Sequence, residues 1–245
     1  MKYVYLTQTE SDIDDHRKGI IKSDNSDLIV LSWKRETTRN PFLPNSSWNE
    51  GRNYLRKLAL EKYPDADYYI FFDDDISLKV NNGGNAFREF EVLLEKYKPL
   101  VATPFYNHHI RHGWKPGKEF HKLYYFDANF NAFSKKAVNE ILPYYEGFDK
   151  ESWHYSQVVV FQMCKMLYSG HCYQFDNIIL DKYLKIQREY PRNRKLNKAD
   201  DLIISNLIDE KYSNEITGES PMWYKENTQN ELRKFEDVFK TDFKK

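Results

Sequence analysis

The 245-residue sequence has few cysteines, no long apolar run and no recognisable export signal. Its two cysteines, Cys164 and Cys172, belong to no CxxC motif or Cys/His cluster, which argues against a disulfide framework and against a zinc finger. No stretch of about 18 consecutive apolar residues occurs, so we expect no membrane span. Because the first residues lack the basic start and apolar stretch of a signal peptide, we expect a soluble, cytoplasmic protein.

An excess of charge of one sign is also missing. The chain has 37 Lys and Arg residues against 37 Asp and Glu residues, so its formal net charge is +0. A neutral balance disfavours nucleic acid as a partner. Aromatic residues, however, make up 16% of the chain, which is too many for a disordered segment. The composition therefore predicts a folded protein with a substantial core.

Strand-like runs alternate with amphipathic helical runs through most of the chain. One helix has a readable start, because Ser47 to Glu50 has the S-x-x-E form of a capping box. The alternation predicts the α/β class, with a mostly parallel sheet flanked by helices. The predicted strands cover residues 2–7, 27–32, 68–72, 100–105, 123–127 and 173–180, and the predicted helices begin near residues 47, 87, 134 and 153.

The alternation of strands and helices stops near residue 198. Beyond it, two amphipathic helices flank a turn at Gly218 to Pro221. We therefore predict a main domain over residues 1–197 and a helical C-terminal extension over residues 198–245 that packs on the same domain.

Three consecutive aspartates, Asp73, Asp74 and Asp75, follow the most apolar predicted strand. Such a strand should be central in the sheet, and open α/β sheets bind ligands beyond the carboxyl ends of their strands. Adjacent carboxylates repel one another unless a cation or hydrogen-bond donors compensate. Alternate residues of an extended chain point the same way, so Asp73 and Asp75 can converge on one divalent ion. A solvated acidic turn is the plain alternative.

The pattern around this triplet resembles a known family. The strand ending in Asp73-x-Asp75, after a helix that opens with Gly51-Arg52-Asn53, resembles the GT-A-type nucleotide-sugar glycosyltransferases, whose hallmark is a DxD motif. Residues 127–133, and Gly147-Phe148-Asp149 before the next helix, are similar to that family in order and rough spacing. The resemblance covers about residues 1–185. It implies a GT-A-like Rossmann-type catalytic domain and metal-dependent transfer of a hexosyl group from a UDP- or GDP-linked sugar to a saccharide hydroxyl.

The same resemblance implies a set of donor-site residues. Asp75 would be a direct ligand of Mn²⁺ or Mg²⁺, and Asp73 would contact either the ion or the ribose. A hard cation with oxygen ligands neutralises the charge that grows on the departing diphosphate. The other predicted members of the donor site are Thr7, Arg52, Asn53 and Asp74.

The position of the catalytic base departs from the family pattern, because the helix that begins near Trp153 has no acid in its first turn. Two nearby acids, Asp149 and Glu151, have the right reach, and Glu151 is slightly favoured because it adjoins Trp153. Each of them has capping of the helix as an alternative role. His154 is a third candidate. An inverting mechanism is favoured, and a retaining one stays open.

A basic loop over residues 107–122 has three interpretations. Its two glycines and one proline fit either a solvated loop or a mobile flap near the donor or acceptor. Zinc binding by His108 and His112 is disfavoured because a third ligand is missing.

Two other classes of function compete with glycosyl transfer. Phe71 to Asp75 also resembles the start of the haloacid-dehalogenase-type phosphatases, in which Asp73 would be the nucleophile, but Ile76-Ser77 replaces the Gly-Thr that usually follows. A non-catalytic carbohydrate-binding protein would explain the aromatic residues but not the carboxylate triplet. The expected partners are a nucleotide-sugar donor and a glycan acceptor, and the oligomeric state does not follow from the sequence.

Overall fold

The computed structural model of the protein describes residues 1–107, 117–123 and 126–182, together with residues 191 and 232. Within these ranges the chain forms eight strands and five α-helices. The strands are β1 (Tyr3–Thr9), β2 (Ser26–Ser32), β3 (Tyr68–Asp73), β4 (Ile76–Lys79), β5 (Val101–Tyr106), β6 (Phe120–Lys122), β7 (Phe130–Ser134) and β8 (Cys172–Lys182). The helices are α1 (Asp15–Ile21), α2 (Trp48–Lys62), α3 (Ala86–Tyr97), α4 (Lys135–Glu140) and α5 (Trp153–Leu167).

The strands form one mixed sheet in which β1, β2, β3, β5 and β8 run in the same direction. The order across the sheet is β2-β1-β3-β7-β5-β8-β4, and β6 pairs with β8 outside this path. β1 is parallel to both β2 and β3, and β5 is parallel to β8. The strands β4, β6 and β7 make the antiparallel pairings. The predicted α/β class, with a mostly parallel sheet, is therefore confirmed.

Helices cover both faces of this sheet. Successive residues of a strand point to opposite faces, so each central strand contributes to two cores. On one face, Leu6 of β1 packs in a cluster with Leu55 of α2 and Val159 of α5. On the other face, Tyr5 of β1 packs in a cluster with Phe90 of α3. This burial on both sides explains why the central strands are almost continuously apolar.

The predicted capping box is present at the start of α2. Ser47 Oγ accepts a hydrogen bond from the backbone N–H of Glu50 at 3.1 Å, and the Glu50 carboxylate accepts one from the backbone N–H of Ser47 at 2.7 Å. These bonds satisfy N–H groups that have no partner within the helix. The first turn of α2, on which the candidate site is built, therefore begins at a well-defined residue.

The strand predicted over residues 123–127 is wrong. Its described residues, 123, 126 and 127, lie outside the strands, and the sheet uses β7 instead. Phe130 and Phe133 of β7 are completely buried, but Asn131 between them breaks the apolar pattern. The sequence pattern also fails to predict α1, because Ile21 is its one buried residue, and it fails to predict the four-residue strand β4.

α5 ends two residues earlier than the predicted range of 153–169, and Gly170 then takes a φ of 75°, which glycine adopts without strain. The predicted C-terminal extension lies outside the described residues except for Leu232. This residue forms an isolated antiparallel bridge with Tyr168 and so is not helical. The domain boundary at 197/198 stays a prediction. In the part of the chain that the structure describes, no helix has the length and apolar character needed to cross a membrane.

A buried carboxylate anchors the face of the sheet that α1 and α3 cover. Glu91 on α3 accepts hydrogen bonds from the hydroxyls of Tyr5 at 2.8 Å and Ser26 at 2.7 Å, and it pairs with Arg88 at 2.5 Å. Burial raises the pKa of Glu91, whereas these donors oppose that shift. Arg88 also donates to the backbone carbonyl of Ile21. One carboxylate thus joins two strands and two helices.

We expect Glu91→Ala to lower the free energy of unfolding by about 3 kcal/mol, because it leaves the Arg88 cation and two hydroxyls without their acceptor. Urea unfolding followed by circular dichroism measures this loss. Glu95→Ala removes an exposed acid from the same helix and should change stability by less than about 0.5 kcal/mol. Equal losses in the two variants would contradict the anchoring role.

Candidate functional site

The carboxyl ends of β1 and β3 lie side by side at one edge of the sheet, where Gln8 pairs with Asp73 in the parallel ladder. The side-chain amide of Gln8 donates to Ser46 Oγ at 3.1 Å and to the backbone carbonyl of Ser47 at 3.2 Å. These bonds tie the start of α2 to this edge. Ligands of open α/β sheets bind at such an edge, so we take it as the candidate site.

The guanidinium of Arg52 is buried at this edge, where the residue is 3% exposed. Its Nη2 donates to Asp73 Oδ1 at 2.8 Å and to the backbone carbonyl of Ala128 at 2.9 Å. Its carbon Cζ lies 4.0 Å from the ring centroid of Trp48, within cation–π distance. Trp48 Nε1 donates to the same Asp73 oxygen at 3.1 Å. A buried guanidinium needs a charged partner, and Asp73 supplies that charge.

Arg17 on α1 holds the turn that follows β3. Its guanidinium donates to the backbone carbonyls of Asp74 and of Ile76, the latter at 2.7 Å, and Cζ lies 5.4 Å from the ring centroid of Phe72. These contacts fix the direction in which the chain leaves β3. Asp74 is buried in this turn at 8% exposure, and its role in the donor site stays a prediction.

The charges of four acids act on the phenol of Tyr106, which lies at the end of β5. Burial raises the pKa of its phenol to about 12, and the negative charges of Asp127, Asp75, Asp181 and Asp73 add to this effect. These carboxylates come from the end of β3 and the turn after it, the loop before β7 and the end of β8. Asp74 and Asp75 form a turn, so the alternation expected of an extended chain does not hold there, and the convergence of Asp73 and Asp75 on one ion stays a prediction.

These acids offer oxygen donors but not a complete metal site. Among the described residues, no three His, Cys, Asp or Glu side chains form a group that holds an ion. Asp73 uses Oδ1 for Arg52 and Trp48, so its Oδ2 is the oxygen without a hydrogen bond from the described chain. The donor set fits a hard divalent cation when a ligand or water supplies further oxygens.

Asp149 contacts the first turn of α2 through both of its carboxylate oxygens. One oxygen accepts a hydrogen bond from the hydroxyl of Ser47, and the other accepts one from the amide of Asn49. The Asn49 amide also donates to Ser156 Oγ on α5 at 2.8 Å. Asp149 is thus held between the starts of two helices.

Asp149 and Glu151, the two acids that the sequence suggests as the base, differ in their surroundings. Burial raises the pKa of Asp149, its hydrogen bonds oppose the shift, and the charges of Glu146 and Glu50 raise it further. A raised carboxyl pKa suits proton abstraction near neutral pH. Glu151 is exposed, and within the described residues its side chain makes no hydrogen bond or ion pair. Neither acid caps α5, because Ser152 occupies that position.

Asn53 does not join Arg52, although the two are adjacent in sequence. Its amide donates to the backbone carbonyl of Tyr144 at 2.8 Å and to Glu146 at 2.7 Å, and its oxygen accepts from the Tyr144 N–H at 2.7 Å. Consecutive helical residues point about 100° apart. Arg52 and Asn53 therefore reach different partners, and Asn53 ties the 144–146 segment to α2; its role in the donor site stays a prediction.

Buried polar atoms without a hydrogen-bond partner collect at this edge. Within the described ranges they include Thr7 Oγ1, Gln8 Oε1 and Arg52 Nη1. Each such atom costs about 1–3 kcal/mol if it stays unpaired, so native structures keep few of them. Their concentration here indicates a site at which a ligand or water completes the bonding, while the role of Thr7 in a donor site stays a prediction.

Sequence patterns do not identify Arg17, Trp48 and Asn49 as members of the site. The contact of Arg17 with Asp74 spans 57 residues, and that of Asn49 with Asp149 spans 100, so no local spacing marks them. The one available signal is the capping box itself. It places Trp48 and Asn49 in the first turn of a helix at the ligand-binding edge of the sheet.

The basic loop lies mostly outside the described residues, and both His108 and His112 fall there. The end of the loop that the structure describes, residues 117–122, is held by a buried carboxylate. Asp176 on β8 lies 2.8 Å from His121 Nδ1 and accepts a hydrogen bond from the backbone N–H of Gly117 at 3.2 Å. This end of the loop is therefore anchored to the sheet.

No protein-family model matches the chain, and no curated protein matches it. Several solved structures are similar to it. The protein A197 from STIV is 12% identical over 80% of this chain and 100% of its own, with a TM-score of 0.49. S. aureus TarS 1–349 is 11% identical over 88% of this chain and 69% of its own, with a TM-score of 0.49. A glycosyltransferase involved in glycosylation of the major capsid of PBCV-1 is 14% identical over 57% of this chain and 63% of its own, with a TM-score of 0.34. TM-scores below 0.5 at such identities assign no activity to the chain.

We expect Asp73→Ala to lower the free energy of unfolding by about 3 kcal/mol, because it leaves the buried Arg52 cation unpaired. Adding Arg52→Met should recover part of that loss, since the buried charge is then gone. Urea unfolding of both single variants and the double variant gives the coupling energy. Asp24→Ala, at an exposed aspartate, serves as the control. Strictly additive losses would show that the pair does not stabilise the site as a unit.

Proposed function

We propose that the protein is a glycosyltransferase that moves a hexosyl group from a nucleotide diphosphate sugar to a saccharide hydroxyl, with inversion at the anomeric carbon. The observation that carries this proposal is the first turn of α2, which bonds to two carboxylates at once. Trp48 donates to Asp73 at the edge of the sheet, and Asn49 donates to Asp149 beside α5. A displacement between two substrates can use such a pair, with an acid that holds a cation on the donor side and a base on the acceptor side.

The donor side of the proposed site is the turn after β3. Mn²⁺ or Mg²⁺ would be held by Asp75 and by the remaining oxygen of Asp73, with phosphate oxygens of the donor completing the ligand set. The bound ion would supply positive charge for the departing diphosphate. Arg52 would keep Asp73 oriented, and the unpaired hydroxyl of Thr7 would meet the nucleoside. Both roles agree with the burial and bonding of these side chains.

The acceptor side of the proposed site is centred on Asp149. The acceptor O–H bond breaks and its proton passes to an Asp149 carboxylate oxygen. The freed electron pair forms the new bond to the anomeric carbon, and the bond from that carbon to the diphosphate oxygen breaks with its electrons leaving on the diphosphate. An ionised carboxylate has about four acceptor positions, and Ser47 and Asn49 occupy two of them, so positions are left for this proton.

The phosphatase alternative would use the same oxygen of Asp73 as the proposed metal site. Asp73 Oδ1 is held by Trp48 and a buried guanidinium, so Oδ2 would be either the ligand of the ion or the nucleophile. Mass spectrometry after incubation with a phosphate ester and Mg²⁺ distinguishes the two mechanisms. A covalent aspartyl-phosphate at Asp73 would overturn the glycosyltransferase proposal.

Asp75→Ala should reduce sugar transfer by more than about 100-fold, because it removes a ligand of the ion that stabilises the leaving group. It should also abolish the Mn²⁺-dependent part of nucleoside diphosphate binding, measured by calorimetry. Asp24→Ala, at an exposed aspartate far along the chain, should leave both unchanged. Full sugar transfer by Asp75→Ala would contradict the proposal that this turn holds the ion.

Asp149→Asn should lower kcat by about 10²- to 10⁴-fold, the range that general bases contribute, whereas Glu151→Gln should stay within about twofold of the wild type. In the wild type, kcat/KM should fall as the pH drops through the pKa of Asp149. That fall should occur above the ordinary titration range of aspartate, because burial raises this pKa. A pH series measures the profile. Equal turnover by Asp149→Asn and wild type would exclude Asp149 as the base.

A further inference from the structure

The hydrogen bonds near Asp149 start from the Asn49 amide, which donates to two side chains. Asn49 is completely buried, and both hydrogens of its amide nitrogen are used, one for Asp149 and one for Ser156 Oγ at 2.8 Å. Ser156 is also completely buried, and its hydroxyl donates to the backbone carbonyl of Tyr145. A hydroxyl has a single hydrogen, so Ser156 is an acceptor toward Asn49.

This direction fixes which way the Asn49 amide points. Rotating the amide by 180° would place its oxygen against the Asp149 carboxylate and against a Ser156 oxygen whose hydrogen is already used. Two acceptors in contact repel, so the rotated state is disfavoured. The amide nitrogen therefore faces Asp149, and the amide oxygen stays buried without a partner. An unpaired buried oxygen is costly, which indicates that the other orientation costs more.

The hydrogen bond from Ser47 to Asp149 differs from the one that Asn49 donates, because the Ser47 hydroxyl also caps α2. The Ser47 hydroxyl caps α2 by accepting from Glu50, so its geometry follows from the helix. Asn49 takes no part in capping, and among the described residues the side-chain hydrogen bonds of Asn49 go only to Asp149 and Ser156. The hydrogen bonds of Asn49 thus connect α2 to the Asp149 carboxylate and to α5.

We infer that Asn49, locked in orientation by Ser156, is a positioning residue that aims the Asp149 carboxylate for proton transfer. The inference rests on the proposed function in treating Asp149 as the base, but the bonding it describes is independent of that role. Because Asn49 donates to the charged form of Asp149, it stabilises the ionised carboxylate. The acids that act on Asp149, Glu146 in its own turn and Glu50 on α2, have the opposite effect, and the first turn of α5 contributes no acid.

Two measurements on Asn49→Ala test the inference. A carbon-detected NMR titration should give a higher pKa for Asp149 than in the wild type, because a donor to its charged form is lost. The acid limb of kcat/KM should move to higher pH in step, with about tenfold lower kcat/KM on that limb. Ser156→Ala leaves Asn49 in place but removes the group that fixes its orientation. It should raise the pKa of Asp149 and move the acid limb of kcat/KM to higher pH, in each case by less than Asn49→Ala does.

Ser26→Ala is the matched control, because Ser26 also donates to a buried carboxylate, Glu91, on the opposite face of the sheet. It should lower stability while leaving the Asp149 titration and the pH profile unchanged. An unchanged Asp149 titration in both Asn49→Ala and Ser156→Ala overturns the inference, whatever the transfer assay gives. Absence of transfer by the wild-type chain, by contrast, contradicts the proposed function and leaves the titration as an independent test.

Discussion

The site depends on one buried cation, the guanidinium of Arg52. It meets Asp73 at the end of β3, a backbone carbonyl in the loop before β7, and the ring of Trp48 in its own helix. Removing a guanidinium from water is costly, and the cost is offset here by an ion pair, a hydrogen bond and cation–π contact. Three segments distant in sequence are therefore held together by the requirements of a single side chain. The sheet edge, the acidic turn and the first turn of α2 cannot move independently.

The chemistry of the site follows from where that helical turn lies. Consecutive side chains at this helix start point in different directions, so Trp48 reaches Asp73 while Ser47 and Asn49 reach Asp149. The two carboxylates differ in environment, since Asp73 pairs with a cation and Asp149 has only neutral donors and acidic neighbours. Different environments separate the roles of two carboxyl groups, as in enzymes that use one acid for charge stabilisation and another for proton transfer.

Much of the framework is predictable from local sequence. The capping box at Ser47 and Glu50 and the apolar strand before Asp73 each indicate their element, because their signals lie within a few residues. β7 is not predictable in this way, since Asn131 lies buried in its middle and interrupts the apolar run. The donor-side acids are marked by the triplet, whereas Arg17 and Asn49 act on residues far along the chain and leave no local pattern. The preference for Asp149 over Glu151 likewise needs burial and partners, which spacing does not contain.

The central claim is that the acidic turn and the first turn of α2 form one site for a metal-bound diphosphate. The indole N–H of Trp48 donates to Asp73 and gives its own signal in a proton–nitrogen NMR spectrum, one of five indoles in the chain. Adding substoichiometric Mn²⁺ with a nucleoside diphosphate should broaden the Trp48 signal first, because paramagnetic relaxation falls steeply with distance from the ion. Diamagnetic Mg²⁺ should shift it without broadening. A sharp Trp48 signal under conditions in which another indole broadens would contradict the account.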